Sequence, residues 1–240
     1  MNLFSLKDKV IIVTGATGIL GSTFVNAIVE AGGSVVISGL NEALTHQRAQ
    51  EINTNGGLAL GVYANVLEED SLHAAKEKIL ARFGKIDGLV NAAGGNVPES
   101  VVAKDQDIFD MNIPGLQKAL ILNLWGTIIP SQVFGAEMAK NGQGSIVNIS
   151  SVSPKNALSM VLGYSLGKAA LDLYTKWFAV EVANRHGDHI RVNAITPGFF
   201  LTKQNKDLLT HPDGTYKERA NKIIKHTPFK KFGEPDDLKG

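Results

Sequence analysis

Cysteine is absent from this sequence of 240 residues, and several other features that would indicate a function are also missing. Without cysteine the chain has no disulfide, no thiolate metal ligand and no cysteine nucleophile, which suits a reducing compartment. The six histidines show no spacing typical of metal ligands, and we therefore predict no metal site. The net charge of +1 gives no electrostatic basis for binding nucleic acid or a membrane surface.

Long apolar runs are missing as well. No uninterrupted run reaches the length that crosses a membrane, and the N-terminus lacks the basic start and apolar core of a signal peptide. We expect a cytoplasmic protein that acts on a small molecule and binds neither nucleic acid nor membrane. The length suits a single domain over residues 1–240 with a sizeable core.

Short, β-branched apolar runs alternate with longer helical patterns along the chain. Such an alternation predicts an α/β fold in which helices join parallel strands. The predicted strands lie at residues 9–13, 35–38, 58–63, 86–90, 145–149 and 190–195. The predicted helices cover residues 43–52, 68–83, 115–140 and 164–183, in addition to one that follows the first strand. The polar stretch 199–228 contains two weak helical patches and is predicted to form a lid.

The first predicted strand runs directly into a turn with three glycines, Gly15, Gly18 and Gly21, and a helical pattern follows. This order begins a dinucleotide-binding unit, because glycine lets the backbone approach a pyrophosphate and the helix N-terminus attracts it. We therefore predict that a dinucleotide binds at this turn. The candidate cofactor contacts here are Gly15, Thr17, Gly18, Ile19 and Leu20.

The ends of the next two strands bear on which dinucleotide binds. An acid after the second strand would favour NAD over NADP, but the chain has Gly39, Leu40 and Asn41 there. The choice between NAD and NADP therefore stays open. At the end of the third strand, Asn65, which Val66 follows, either hydrogen-bonds an adenine or is a turn asparagine.

Small and polar residues follow the fourth strand, in the order Asn91, Ala92, Ala93 and Gly94. Small side chains at the carboxyl end of a strand suit the close approach of a cofactor, and they equally suit a tight turn. Further along, Asn123 interrupts an apolar stretch. A buried asparagine must be satisfied or functional, so Asn123 is either a local cap or kink or part of the site.

The main catalytic pattern is the stretch 151–168, in which Tyr164 and Lys168 are four residues apart. On a helix the two side chains share a face, and an ammonium beside a phenol is expected to lower the pKa of the phenol from about 10. Tyr164 could then act as a general acid or base while Ser151 binds the oxygen of a substrate. Because this Tyr–Lys spacing also arises by chance in many helices, the assignment depends on the rest of the chain.

Taken together, these residues resemble the short-chain dehydrogenase/reductase family over nearly the whole chain. The resemblance is carried by Thr14-Gly-x-x-Gly-x-x-Gly21, Asn91-Ala-Ala-Gly94, Asn123, Ser151, Tyr164-x-x-x-Lys168 and Pro197-Gly198. It implies a three-layer, doubly wound parallel sheet of the Rossmann type and an enzyme that uses NAD or NADP.

The resemblance also implies a role for each residue of the pattern. Tyr164 would be the catalytic acid/base, and Lys168 would lower its pKa and bind the nicotinamide ribose. Ser151 would orient the substrate, and Asn123 would support a water in a proton relay. The nicotinamide end of the cofactor would meet the Ile195 backbone, Pro197, Gly198, Phe200 and Thr202.

Two features resemble a branch of the family, D-mannonate oxidoreductase (fructuronate reductase): a long segment between Gly94 and Asn123, and the stretch 197–205. Gluconate 5-dehydrogenase is a near relative of this branch. The resemblance implies a sugar acid as substrate. Its candidate contacts are Asn96, Ser151, Ser153 and Asn205, with Lys155, Asn156 and Lys203 as further candidates for its carboxylate. A 3-oxoacyl reductase on the same scaffold and a non-catalytic dinucleotide sensor are the alternatives.

The chain departs from the family pattern in several places. The middle glycine is Gly18, one position earlier than usual, Ala92 replaces a commoner asparagine, and Asn65 replaces aspartate. Family members generally continue with a helix and a seventh strand, whereas this sequence stops at Gly240, and so we expect a sheet that lacks that strand. The resemblance further implies a homotetramer or homodimer.

Overall fold

Strands and helices alternate along the computed structural model, which describes residues 4–202 and 205–239. The strands are β1 (Val10–Thr14), β2 (Ser34–Gly39), β3 (Leu58–Tyr63), β4 (Gly88–Asn91), β5 (Gly144–Ile149) and β6 (Ile190–Ile195). The helices are α1 (Ile19–Glu30), α2 (Glu42–Thr54), α3 (Glu69–Phe83), α4 (Ile113–Lys140), α5 (Leu162–His186), α6 (Lys206–Leu209) and α7 (Glu218–His226). Short 3-10 turns lie at Pro98–Ser100, Ile108–Asp110, Ser153–Lys155 and Pro235–Leu238.

The strands form one parallel sheet in the order β3-β2-β1-β4-β5-β6, which confirms the predicted doubly wound fold. Within the described residues this sheet has six strands. β3 and β6 have the predicted bounds, whereas β4 begins two residues later than predicted. Just before β4, the Asp87 carboxylate accepts the hydrogen bond from the Val10 amide at 2.8 Å, in place of a backbone carbonyl.

Both faces of the sheet are covered because successive side chains of a strand point to opposite faces. In β1, Val10 and Ile12 belong to a core cluster with α3 and α4, and Val13 belongs to a second cluster with α1 and α2. The strands therefore read as continuous Val/Ile runs, as expected for parallel strands that helices cover on both sides. The result is three layers, with the carboxyl ends of all strands at one edge.

α4 is the one described helix that is long and apolar enough to cross a membrane by length and composition, with a mean hydropathy of 1.3 in its most apolar window. The apolar sequence of α4 is not continuous, because Asn123, Thr127 and Ser131 lie within the helix. These three polar residues are buried and hydrogen-bonded inside the protein. α4 packs against α3, α5, β4 and β5, so its apolar composition serves the core of this fold.

Glycine allows α4 and α5 to approach closely beside the sheet. A Cβ at Gly163 would lie 3.0 Å from the Ala119 Cβ and the Leu116 oxygen, and a Cβ at Gly167 would lie 2.8 Å from the Asn123 Cβ. Both distances are shorter than an ordinary van der Waals contact. The two glycines therefore bring the backbone of α5, and with it Lys168, against α4.

The stretch predicted as a lid, 199–228, contains two helices, α6 and α7, as its two helical patches indicated. Its Leu209 and Ala220 form a small buried core together with Phe232, which follows the stretch. Phe200 forms a bridge with Gly233, where a Cβ would lie 2.6 Å from the Phe200 ring. The following turn, Pro235–Leu238, packs against α1. The stretch thus belongs to a separate small cluster at the carboxyl edge of the sheet.

We expect that Gly167→Ala destabilises the fold. The added Cβ would meet the Asn123 Cβ at 2.8 Å, and overpacking of this kind costs about 1–3 kcal/mol of unfolding free energy. Urea denaturation of the purified protein measures this difference.

The matched control is Gly135→Ala in α4, where a Cβ would meet its nearest neighbour, the Ile146 Cδ1, at an ordinary 3.5 Å. Alanine there should be neutral or stabilise the protein by about 0.5–1 kcal/mol, because it restricts the unfolded chain. Equal stabilities for the two variants would contradict the close helix contact.

Candidate active site

The strand order reverses between β1 and β4, and at this point the two strand ends are joined. Thr14, the last residue of β1, is paired in register with Asn91, the last residue of β4. The Thr14 hydroxyl accepts hydrogen bonds from the Ala92 and Ala93 amides, both at 3.1 Å. Ligands of doubly wound sheets bind in the crevice at such a reversal.

The glycine turn after β1 is formed by backbone contacts that no side chain could enter. Gly15 has a φ of +62°, and a Cβ there would lie 2.8 Å from the Ala93 Cα. A Cβ at Gly21 would lie 2.3 Å from the Gly15 oxygen, so this glycine lets α1 begin directly against the turn. The three glycines thus fix the direction in which α1 leaves the sheet.

The N-terminus of α1 is open to a ligand. Gly18 is the N-cap residue, and no side chain hydrogen-bonds the amides of the first turn. Ile19 and Leu20 begin the helix at this point, and Leu20 lines the cavity described below. Free amides and the helix dipole favour an anion, and so the turn fits the pyrophosphate of a dinucleotide.

The ends of β2 and β3 contain no acid that would select NAD, as the sequence indicated. Leu40 is 67% exposed, and the Asn41 side chain accepts a hydrogen bond from the Leu44 amide as the N-cap of α2. Thr17 lies beside Gly39, where a Cβ would be 3.5 Å from the Thr17 hydroxyl. None of these residues carries a charge that would choose between NAD and NADP.

Arg48 of α2 contacts the glycine turn. Its guanidinium donates to the Ala16 carbonyl at 3.1 Å and to the Ser22 hydroxyl. Nothing in the sequence pattern indicated this contact, because it joins α2 to the turn across 32 residues. A cation thus lies beside the glycine turn.

Asn65 forms the hydrogen bonds of a turn asparagine. Its side-chain oxygen accepts from the Leu67 amide at 3.1 Å, and its side-chain nitrogen donates to the Glu68 carboxylate at 2.7 Å. Val66 is buried, and a Cβ at Gly126 of α4 would lie 3.1 Å from it. Of the two roles that the sequence left open for Asn65, the turn asparagine accounts for both polar atoms of its side chain.

The Asn91 side chain belongs to a buried polar network that joins β4 to its neighbours. Its nitrogen donates to the Ser131 hydroxyl and to the Asn148 side-chain oxygen, both at 2.9 Å. Asn148 in turn donates to the Thr175 hydroxyl of α5 at 2.9 Å. Both hydrogen bonds from the Asn91 side-chain nitrogen thus stay within the protein. The next residue, Ala92, lines the cavity.

Asn123 is fully buried, and both donors of its side chain form hydrogen bonds within the protein. Its nitrogen donates to the Gly95 and Ala119 carbonyls, both at 2.8 Å, and its oxygen accepts from the Gly95 amide at 3.0 Å. Gly94, with a φ of +151°, lies directly beneath it. Asn123 therefore holds the turn after β4 against α4, and its side chain has no donor left for a further ligand.

Ser151, Tyr164 and Lys168 lie together in one cavity of about 230 Å³. β5 ends at Ile149 and carries Ser151 just beyond its end, while α5 carries the other two residues one turn apart. The Lys168 Nζ donates to the Ile149 carbonyl at 2.7 Å and lies 5.8 Å from the centre of the Tyr164 ring. Ser151 lies close enough to the Tyr164 phenol to influence its pKa. The structure thus brings the predicted catalytic side chains within reach of one substrate.

The pKa of Tyr164 corrects one expectation from the sequence. Burial raises the pKa of the phenol above its ordinary value, and the Ser151 side chain opposes this only in part. Burial also lowers the pKa of Lys168 from 10.5 to about 8, against an opposing effect of Asp172. The expected lowering of the phenol pKa was wrong for this structure, because the sequence pattern gives the partner of a side chain but not its desolvation.

The remaining candidates lie around the same cavity or close to it. The cavity is lined by Asn96, Pro197, Gly198, Phe200, Thr202 and Asn205. Ser153 is buried next to Ser151, and its own hydroxyl is unpaired.

The Asn205 side chain already bonds within the protein, since it accepts from the Thr202 amide and donates to the Phe200 carbonyl, both at 2.8 Å. The Ile195 carbonyl accepts from the Ser150 amide at 2.9 Å. Lys155 and Asn156 are exposed, and Lys203 lies outside the described residues.

Of the charged residues that line the cavity, sequence reasoning missed one, Arg219 in α7. The predicted lid contains several cations, and nothing in the pattern distinguishes one that faces the cavity from one that faces solvent. Only the tertiary packing of α7 brings Arg219 into the cavity of the catalytic residues.

The proton chemistry of this site requires a second component. A phenol beside a hydroxyl and an ammonium can give or take a proton, but none of these groups carries a hydride. The glycine turn and the uncapped start of α1 fit a dinucleotide, whose nicotinamide supplies or accepts the hydride when it is bound. The fold and the site together therefore define a nicotinamide-dependent oxidoreductase.

Comparisons with known proteins agree with this class. The sequence model described as short chain dehydrogenase matches residues 9–213. An uncharacterized oxidoreductase of Bacillus subtilis strain 168, UxuB, is 40% identical over 244 aligned residues, which cover 98% of this chain and 87% of that protein. The chain belongs to the short chain dehydrogenase family.

Two solved structures are similar over nearly the whole chain. One, from Haemophilus influenza with bound NAD, is described provisionally as a D-mannonate oxidoreductase; its TM-score is 0.89 at 36% identity, and the match covers 98% of this chain and 87% of that one. The other is a gluconate 5-dehydrogenase from Burkholderia cenocepacia J2315 in complex with NADP and tartrate. Its TM-score is 0.85 at 28% identity, with 99% of this chain and 87% of that one covered.

We expect that Lys168→Met changes how stability depends on pH. The pKa of Lys168 is about 8 in the folded protein and near 10.5 when unfolded, so between these values the unfolded state binds more protons. The free energy of unfolding of the unmodified protein should therefore rise, relative to the variant, by about 3 kcal/mol as the pH goes from 8 to 10.5.

Urea denaturation of both proteins across this pH range measures the difference. Stability curves that run parallel for the two proteins would contradict a buried, charged Lys168.

Proposed function

We propose that this enzyme interconverts a keto sugar acid and the corresponding hydroxy sugar acid, with D-fructuronate and D-mannonate as the preferred pair. The observation that carries the proposal is the joint position of Ser151, Tyr164 and Lys168 in a cavity next to the dinucleotide turn. The choice of substrate is supported by the similarity to structures that bear the names of a D-mannonate oxidoreductase and a gluconate 5-dehydrogenase.

In this proposal Tyr164 moves the proton. During reduction the Tyr164 phenol donates its proton to the carbonyl oxygen as that oxygen gains negative charge, while Ser151 donates a hydrogen bond to the same oxygen. The buried Lys168 ammonium stabilises the phenolate that remains. A raised pKa of Tyr164 keeps the phenol protonated, which suits its role as the acid in the direction of reduction.

Two other activities would use the same catalytic residues. Reduction of 5-keto-D-gluconate is favoured by the likeness to gluconate 5-dehydrogenase, and reduction of a 3-oxoacyl thioester requires only the common chemistry of the scaffold. A non-catalytic dinucleotide sensor would have no use for the Ser–Tyr–Lys set. The substrate therefore decides between the candidates.

We expect that the protein oxidises NADH or NADPH in the presence of D-fructuronate, followed by the absorbance of the reduced nicotinamide. Tyr164→Phe should reduce turnover by about 10²–10⁴-fold, because it removes the general acid. The affinity of the variant for the cofactor, measured by fluorescence titration, should stay unchanged.

The same assay with 5-keto-D-gluconate and a 3-oxoacyl thioester is the control for substrate class. Turnover of either compound in preference to D-fructuronate would contradict the proposed substrate and keep the chemistry. Full activity of Tyr164→Phe would contradict the catalytic assignment itself.

We also propose that the enzyme works as a homo-oligomer built on α4 and α5. Large apolar side chains are exposed on both helices, among them Trp125 in α4 and Leu173 and Trp177 in α5, with exposed fractions of 48%, 69% and 57%. Exposed patches of this kind mark interaction surfaces, and a second copy of the same two helices would bury them symmetrically.

We expect light scattering after size exclusion to give a dimer or tetramer mass, and Leu173→Glu to reduce it, since a carboxylate in an apolar interface is costly. The control is Phe109→Glu, which alters a side chain of 92% exposure outside both helices. A monomeric unmodified protein would contradict this proposal.

A further inference from the structure

Arg219 is a cation in the catalytic cavity that none of the steps above uses. It lies in the first turn of α7 and lines the same cavity as Ser151, Tyr164 and Lys168. Its side chain is half-buried, so the guanidinium faces the cavity and not bulk solvent alone. A partly desolvated guanidinium has a strong preference for an anionic partner.

The partners that Arg219 has within the protein are weak and neutral. Its Nη1 lies 3.5 Å from the Ser159 hydroxyl and 3.1 Å from the Met160 sulfur, and its Nη2 lies 3.4 Å from the Ser159 carbonyl. The two distances to Ser159 are at the long end for hydrogen bonds, and the Met160 thioether is a poor acceptor.

The Arg219 guanidinium forms no ion pair with the described part of the chain. In the described ranges 4–202 and 205–239, no Asp or Glu oxygen lies within ion-pair distance of Arg219. The adjacent Glu218 is bound at 2.7 Å by Lys222. Several of the five N–H donors of the guanidinium are therefore available to a ligand.

The cavity as a whole favours an anion. Among the described residues that line it there is no Asp or Glu, and its two cations are Lys168 and Arg219. Lys168 donates to the Ile149 carbonyl and lies 5.8 Å from the centre of the Tyr164 ring, so its place is with the groups that move the proton. Arg219 is consequently the cation that can meet a carboxylate on the substrate.

A further polar atom of the cavity lacks a partner. The side-chain oxygen of Asn96 is buried and accepts no hydrogen bond from the protein. A buried acceptor of this kind requires a donor, and a hydroxyl of a sugar would supply it. A sugar acid with its carbonyl at Tyr164 thus finds an acceptor for a hydroxyl and a cation for its carboxylate along one cavity.

We propose that Arg219 is the specificity-determining residue of this enzyme and binds the carboxylate of the sugar acid with two parallel hydrogen bonds. The interaction replaces its weak contacts with Ser159 and Met160 and joins the lid helix α7 to the substrate. The proposal rests on the proposed function, since it names the residue that recognises that substrate class.

The first test compares two substrates that differ only at the carboxylate: D-fructuronate and D-fructose, in which a hydroxymethyl group replaces it. We expect Arg219→Gln to raise the KM for D-fructuronate about 10- to 100-fold with little change in kcat, because a charge-assisted pair is lost in both ground and transition state. The KM for D-fructose should change less than about twofold, and Arg219→Lys should recover part of the affinity for the acid.

The control variant is Lys225→Gln, which removes one positive charge from the exposed side of the same helix. Lys225→Gln should leave both KM values unchanged. If the net charge of the protein merely attracted the charged substrate, the KM values would change in both variants. An equal rise of KM for D-fructose and D-fructuronate in Arg219→Gln would overturn the proposal, because it would indicate a structural role in the lid.

The second test does not depend on turnover of a sugar acid. Tartrate, a small hydroxy dicarboxylate, is titrated into the enzyme with its cofactor bound, and its affinity is measured by calorimetry for the unmodified protein, Arg219→Gln and Lys225→Gln. Weaker binding in Arg219→Gln alone supports the carboxylate site even if the proposed substrate fails. Equal affinities of all three proteins, or no binding to the unmodified protein, would overturn it.

Discussion

The space above Gly94 sets the geometry of the whole site. A Cβ on this residue would lie 2.8 Å from the Asn123 side-chain oxygen and 3.4 Å from the Lys168 Nζ. The turn after β4, the middle of α4 and the first turns of α5 can therefore converge only because this position has no side chain. A positive φ of +151° at Gly94 adds a second reason for glycine there.

The convergence places a charged amine in a position that is almost closed to water. Lys168 is 5% exposed, and burial lowers its pKa to about 8. A buried charge is tolerated only with partners, and here the Ile149 carbonyl accepts its hydrogen bond while Asp172 offers an opposite charge. The Ser150 hydroxyl donates to the same Asp172 carboxylate, which holds it in place. The fold thus sacrifices some stability to keep an ammonium beneath Tyr164.

Much of the fold could be predicted from the sequence because it depends on local patterns. β-branched runs gave the strands, and the order strand, glycine turn, helix gave the dinucleotide unit, whose glycines have no room for a side chain. The Tyr164–Lys168 pair followed from helical spacing. These features need only information within a few residues or a periodicity that continues along the chain.

Features that depend on long-range packing could not be predicted in this way. The asparagines show it clearly: Asn65 bonds within its own turn, Asn91 joins three elements, and Asn123 fastens a turn 28 residues away. All three carry the same amide, and only the tertiary structure distinguishes their roles. The raised pKa of Tyr164 is a similar case, because desolvation depends on everything that surrounds the phenol.

In the proposed mechanism, the groups that move the proton and the group that recognises the substrate lie on different parts of the fold. The residues that move the proton lie on β5 and α5, inside the main core, whereas Arg219 lies on a small cluster attached through the Phe200–Gly233 bridge and the Asn205 side chain. A change at Arg219 would not disturb the strand ends that hold Lys168. Solved structures of 28–36% identity that share this fold bear the names of different enzymes, in keeping with a function that belongs to the site and not to the fold.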